Sequence, residues 1–323
     1  MTKNKIKGAN MSKILVVGGA GYIGGFLTDH LRESGHNVVV YDNLLFEDRF
    51  LKNCNFIYGD IRDTDKLSSI VGNFDVVVWL AGLVGDGACA VNHSLTKALN
   101  VDSVKWLVDN FKGKIVFPST CSVYGMNNNL IEESAEPNPL SLYASTKLEA
   151  EKYVLANCPD ALVFRLGTLF GLGDRHSRMR LDLVANILSM RAARGETLTI
   201  FGGEQWRPLL HVRDVSTAIA HGLEHGTSGL FNLSYKNYKI CDLGEEIRKV
   251  MPTCDIQYTD MKFEDLRNYK VKNDKILNTG WVPSYTLEDG INEIFSLIKE
   301  RRVKDTTDVV YSNAAFMRKL YEF

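Results

Sequence analysis

Residues 13–25 read KILVVGGAGYIGG. After the lysine come four apolar residues in succession, too few for a helix and suited to a strand buried on both faces. The run breaks at Gly18 and Gly19, turns through Gly21, and resumes as YIGGFLTDHLRESG (22–35) with helical spacing. Strand, glycine turn and helix in that order bring unpaired N–H groups and the positive end of a helix dipole to one point. A pyrophosphate can approach closely there, because glycine has no side chain to block it. Gly18, Gly21 and Gly24 are spaced three apart. A glycine turn by itself also serves ordinary turns; its place between a strand and a helix points to a dinucleotide.

Working outward, HNVVVYD (36–42) predicts a second strand that ends on Asp42, eighteen residues beyond Gly24. An acid there can accept hydrogen bonds from the adenosine ribose and repels a 2′-phosphate, which favours NAD over NADP. NFIYGD (55–60), FDVVVWLAG (74–82), KIVFPST (114–120) and ALVFRLG (161–167) predict further strands. LTKALNVDSVKWLVDNF (95–111) and LSLYASTKLEAEKYVLAN (140–157) have helical spacing. Strands apolar on both faces, alternating with helices, give an α/β chain with a parallel sheet covered on both sides. GDIRD (59–63) closes the third strand and could place Asp60 and Ile61 near an adenine; an ordinary acidic turn has the same composition.

Beyond Gly167 the pattern loosens. Helices are predicted at 180–195, 211–226, 242–251 and 286–300, and strands at 198–203 and 229–235. The second half reads as a smaller lobe interleaved with the sheet. The polar start, MTKNKIKGAN (1–10), lacks the apolar core of a signal peptide and is expected to be a disordered extension.

The chain has 323 residues, 45% hydrophobic and 24% charged, with 38 Lys and Arg against 39 Asp and Glu. This near balance gives no electrostatic case for nucleic acid or an anionic membrane. No apolar run reaches the length of a membrane span. The six cysteines form no CxxC pair and have no zinc spacing, so no metal is expected and reduced thiols in the cytoplasm are.

Two further stretches carry chemistry. In YASTK, Tyr143 and Lys147 lie four apart, on one face of a helix. A nearby ammonium favours a phenolate, and such a tyrosine can exchange a proton with a sugar hydroxyl during hydride transfer. PSTCSVYG (118–125) delivers Ser119, Thr120, Cys121 and Ser122 from the end of a buried strand. Arg207 in WRPLLHVRDV, Arg267 in DLRNYKV, and Arg178 or Arg180 in SRMRLDL offer planar forks for a diphosphate.

Taken together, GGAGYIG, GDIRD, LAG, STCSVYG, YASTK, HVRDV and TGWVPSYTLEDGI resemble the extended short-chain dehydrogenase/reductases, over essentially residues 12–300. More narrowly, they resemble the NAD-dependent nucleotide-sugar epimerase/dehydratase group. The resemblance implies a Rossmann-type, doubly wound parallel sheet with a smaller interleaved α/β lobe that binds the nucleotide sugar. The NAD-binding domain would be 11–167 with about 208–238, and the lobe about 168–207 with 239–323.

By the same resemblance, Thr120, Tyr143 and Lys147 are the catalytic set, with Thr120 holding the reacting hydroxyl. NAD contacts would come from Gly18, Gly21, Tyr22, Ile23, Gly24, Asp42, Asn43, Asp60, Ile61, Leu80, Ala81, Gly82, Tyr143 and Lys147. The nucleotide sugar would meet Thr120, Thr168, Arg180, Arg207 and Arg267, and a homodimer would form through the helices at 95–111 and 140–157. Cys121 and Ser122 stand where 4,6-dehydratases of the family carry Asp-Glu, which disfavours dehydration, and nothing in hydride chemistry needs Cys121 as a nucleophile. Thr168 replaces a frequent Asn. LVGDGACAVN replaces a loop that often holds Ser-His, so Gly85 and Asp86 would border the sugar. The expected reaction is oxidation at C4, as a 4-epimerase or 4-dehydrogenase, in surface polysaccharide synthesis, with a GDP-heptose as the narrower expectation for the substrate. A 4-keto-sugar reductase is the alternative, and a non-catalytic redox sensor a more distant one.

Overall fold

In the computed structural model, which describes residues 11–259 and 267–321, the strand Lys13–Val17 lies inside a seven-stranded parallel sheet. From one edge the sheet runs Gly229–Leu233, Leu162–Leu166, Lys114–Thr120, Val76–Trp79, Lys13–Val17, Asn37–Asp42 and Asn55–Tyr58. Every neighbouring pair is parallel. The chain fills the sheet in one direction from Lys13 to Tyr58, then crosses back and fills the other side. The reversal opens a crevice where Lys13–Val17 and Val76–Trp79 end, the place where doubly wound sheets bind ligands.

The apolar run of the first strand divides between two cores. Ile14 and Val16 face one, Leu15 and Val17 the other, and all four are fully buried. Each such side chain contributes about 1.5–3 kcal/mol on burial. This explains a run without polar alternation: a strand covered on both faces has no solvent side. The edge strand Asn55–Tyr58 behaves differently, leaving Tyr58 62% exposed.

The second half builds three small sheets. Thr168–Phe170, Trp206–His211 and Lys236–Lys239 form one; Leu198–Phe201 pairs with Ile256–Thr259, and Met126–Ile131 with Asn268–Val271. The sequence pattern found one of these strands, at 198–203. The others are short, are polar on both faces as MNNNLI (126–131) is, or, like WRPLLH (206–211), are buried past the first residue with a proline inside, so periodicity had little to register. The helix expected from Arg180 spans Val184–Ala193. Arg180 is instead paired to Asp182, and its carbonyl accepts from the Asn186 side chain (2.7 Å). The helix Leu287–Lys299 begins on a full capping box between Thr286 and Asp289.

Two pieces of the expected lobe return to the sheet domain. Ile276 and Trp281 join the core around Ile14 and Val16. The C-terminal helix Asn313–Tyr321 packs on the short helix Asp86–Cys89 and buries Met317 against Leu83, Ala88, Cys89 and Tyr143. The division at residue 239 is therefore too simple. The expected extension, residues 1–10, lies outside the described residues. No described helix is long and apolar enough to cross a membrane, and no described cluster of His, Cys, Asp and Glu could hold a metal.

Candidate active site

The glycine turn forms the floor of a cleft in the crevice. Gly18 has φ +83°, and a Cβ there would lie 2.5 Å from the backbone nitrogen of Ala81. At Gly24 a Cβ would lie 2.5 Å from the backbone of Gly19. These positions accept glycine alone, because turn, helix and the LAG loop press together there. The same cleft is lined by Gly21, Tyr22, Ile23, Asp42, Asn43, Ile61, Leu80, Ala81, Gly82 and Arg180. Eleven of the expected cofactor contacts thus meet around one cavity, which a dinucleotide fits: a side-chain-free cradle at a helix start, with a carboxylate beyond it.

Asp42 ends its strand with its carboxylate fixed from two sides. The N–H of Ala20 donates to Oδ2 (3.0 Å) and that of Leu44 to Oδ1 (2.8 Å). Burial raises its pKa and these backbone bonds oppose the rise. Asp60 differs from expectation. Its carboxylate turns to Arg62 (2.8 Å) and the Asn43 amide (3.2 Å), and Ile61 lines the cleft in its place. The Arg62 bond is the main reason its pKa falls to about 2. Asp42→Ala is expected to weaken NADH binding by about tenfold or more, the worth of a charged hydrogen bond, and to narrow the gap to NADPH. Fluorescence titration with both cofactors checks this.

Tyr143 and Lys147 occupy the start of the helix Leu142–Asn157, which Ser141 caps by accepting from the Ala144 N–H (3.2 Å). Tyr143 packs among Leu45, Leu83, Val84 and Leu99, all of which line the cleft. Thr120 ends the strand Lys114–Thr120 and is the side-chain hydrogen-bond partner of Tyr143. Its hydroxyl oxygen also accepts from the Ser122 N–H (3.1 Å).

The electrostatics correct one expectation. Burial, the largest influence, holds the Tyr143 phenol above its ordinary range, while Thr120 and Arg180 pull it down. Lys147 is not among its main influences. The Lys147 ammonium lies over the Phe117 ring at 4.0 Å, and burial pushes its pKa down to about 7 against the opposing charge of Glu151.

The rest of PSTCSVYG is structural. Ser119 donates to Glu151 (2.5 Å). Cys121 is buried and donates to the Arg165 carbonyl (3.2 Å), and burial raises its thiol pKa. Burial and this bond both hold it as the thiol and not the thiolate. Ser122 Oγ lies 3.3 Å from the Tyr269 hydroxyl.

Arg207 and Arg267 do not line the cofactor cleft. Arg207 is buried beside Tyr269 and donates to the Arg267 carbonyl (2.5 Å); Arg267 pairs with Asp86 (2.9 Å). Asp86 also accepts from Ser141 (2.6 Å), so this second cluster adjoins the start of the helix Leu142–Asn157. Thr168 sits on the strand that pairs with Leu209, next to Leu169 of the cleft.

One positioning residue escaped the sequence reading. Asn100, buried in a widened helical turn at Ala98–Asp102, accepts from the Leu83 N–H (2.7 Å) and donates to the Leu83 carbonyl (2.9 Å) and to Thr146 (3.3 Å). It ties the LAG loop to the helix Leu142–Asn157. A lone Asn in LTKALNVDSV gives no signal for this, because the contacts are 17 and 46 residues away.

A family model for the NAD dependent epimerase/dehydratase family matches residues 14–235. The UDP-glucose 4-epimerase of Halalkalibacterium halodurans is 32% identical over 276 residues, covering 73% of this chain and 80% of its own. The structure is similar to that of a UDP-glucose 4-epimerase from Thermotoga maritima with UDP-glucose, with a TM-score of 0.79 and 25% identity over 90% of this chain and 100% of that one. It is also similar to the UDP-glucuronic acid 4-epimerase from Bacillus cereus in complex with UDP-glucuronic acid and NAD, with a TM-score of 0.76 and 25% identity over 89% and 99% of the two chains.

Proposed function

Since the chain belongs to the NAD dependent epimerase/dehydratase family, we propose that it interconverts nucleotide sugars as an NAD-dependent 4-epimerase. The observation that supports this is the pairing of Thr120 with Tyr143, whose ring packs among Leu83, Val84 and Leu99 of the glycine-floored cleft, in a chain whose relatives bear that activity in their names. Bound NAD supplies a hydride acceptor and then a hydride donor. Tyr143 takes the proton of the sugar hydroxyl. Thr120, its oxygen already accepting from Ser122, has its own proton to give toward Tyr143 or the sugar. Lys147, its pKa brought down to about 7 by burial, keeps part of its positive charge at working pH and would favour the Tyr143 phenolate that accepts the sugar hydroxyl's proton.

Dehydration is disfavoured for a physical reason. Elimination of water needs an acid and a base near C5 and C6, whereas Cys121 is a buried thiol turned to a carbonyl and Ser122 is neutral. Asp42, at the ribose end, speaks against an NADPH-dependent reductase. Arg207 and Arg267, near Ser122 and Asp86, are suited to the diphosphate, with Arg180 and Thr168 beside the sugar.

We take a UDP-hexose as substrate, because the relatives' names carry it; the narrower reading, a GDP-heptose of a surface polysaccharide, enters the test as a competitor. A homodimer through the helices at 95–111 and 140–157 belongs to the same reading, as does the cytoplasm, which suits the six free thiols.

The test incubates the purified protein with UDP-, GDP- and dTDP-sugars and follows the anomeric protons by NMR and absorbance at 340 nm. Interconversion of a C4 pair without net NADH is the expected result. Stoichiometric NADH with a keto sugar would make it a 4-dehydrogenase, and consumption of NADPH a reductase.

A further inference from the structure

The C-terminal segment reaches the cofactor cleft from outside the sheet. Asn313, 4% exposed, is part of the cleft lining and makes three hydrogen bonds to two separate loops. Its Oδ1 accepts from Arg178 Nη1 (2.7 Å), its Nδ2 donates to the Val84 carbonyl (2.8 Å), and its N–H donates to Asp182 Oδ2 (2.9 Å). Arg178 binds the same segment again through the Val310 carbonyl (2.9 Å) and lies over the Phe46 ring at 3.7 Å. Phe316 packs on Phe46 at 4.8 Å, and Met317 is fully buried beside Tyr143.

The loops joined in this way are those that border the cleft at 45–47, 82–84 and 178–182. Arg178 itself lines the cleft, is 5% exposed, and keeps its Nε without a hydrogen-bond partner among the described residues. A buried guanidinium nitrogen without a partner is costly unless a ligand oxygen meets it.

We infer that the C-terminal segment is a clasp for the dinucleotide: Asn313 positions Arg178 and, with Met317, holds the outer wall of the cleft closed, so that NAD is retained between turnovers. This rests on the nicotinamide cofactor and not on which sugar is used. Retention suits an enzyme whose cofactor must still be in place to return the hydride it has taken.

The experiment measures release of NAD from full-length protein by stopped-flow with an excess of competing dinucleotide, and NAD per chain after gel filtration by native mass spectrometry. Asn313→Ala and Met317→Ala are compared with Ile247→Val, a core change on the opposite lobe that serves as a control for general destabilisation. Release should be faster by about tenfold or more in both clasp variants, since affinity differences between related complexes lie mostly in the off-rate. The control should release NAD at the original rate. Original release rates in Asn313→Ala and Met317→Ala, or an equal acceleration in Ile247→Val, would overturn the inference. Circular dichroism confirms that each variant is folded. Should Met317→Ala not fold, Asn313→Ala decides alone, since it removes polar contacts and leaves Met317 buried.

Discussion

Tyr143→Phe is expected to lower kcat by about 10²–10⁴-fold, the usual worth of a positioned acid/base. The ring stays packed among Leu83, Val84 and Leu99, and only the hydroxyl is lost. Binding of NAD and of nucleotide sugar should therefore change little, and kcat and kcat/KM should fall together. Two readouts are needed, turnover by NMR and NAD per chain by mass spectrometry. Loss of both would mean that the phenol holds the cofactor and is not the proton carrier. Turnover at the original rate would remove Tyr143 from the chemistry and revive a redox sensor.

The phenol's environment makes this variant informative. Burial holds Tyr143 protonated, and Thr120 and Arg180 act in the opposite direction. Thr120→Val removes one of these and should cost less than Tyr143→Phe, because the acid/base group remains. The pH at which turnover is half-maximal should then move upward, since one group that lowers the phenol's pKa is gone.

How much of this was legible in the sequence depends on how local each signal is. The glycine turn and Asp42 depend on neighbours within one strand–helix–strand unit, and they line one cleft; Tyr143 and Lys147 share one helix, as their spacing implies. The two-core sheet was legible because Ile14 to Val17 are apolar without alternation. Asn100 and Asn313 were not. Each is a single amide in a polar stretch, and its role comes from partners brought near by the fold, up to 229 residues away. The low pKa of Lys147 was not legible for a related reason. Spacing sets it next to Tyr143, but its pKa follows burial and Glu151, which spacing alone does not weigh. The short strands of the lobe gave no period to read, and GDIRD left an adenine contact and an acidic turn both open for Asp60, whose carboxylate bonds to Arg62, two residues on.

Glu151→Leu should produce the largest loss of stability, about 3–5 kcal/mol, the cost of leaving a buried charge without its partner. Glu151 and Arg165 are 1% and 4% exposed and bond at 2.6 Å. Burial disfavours the Arg165 charge, but Glu151 more than offsets this and keeps the guanidinium above its usual range. The pair also anchors Ser119 and the Tyr124 hydroxyl, which itself donates a hydrogen bond to Asn232 Oδ1 (2.7 Å). Adding Arg165→Met to Glu151→Leu should recover most of the loss in urea unfolding, because an apolar pair of similar volume needs no hydrogen bonds there. It should not recover catalysis in full. Glu151 lies one helical turn below Lys147, and its charge raises the lysine against burial. Without it the Lys147 pKa falls below about 7, so the ammonium is lost at a lower pH. If that ammonium supports Tyr143, the high-pH limb of the kcat/KM profile moves to lower pH in the stable double variant. A profile unmoved there, with stability restored, would reduce Glu151 to a packing role.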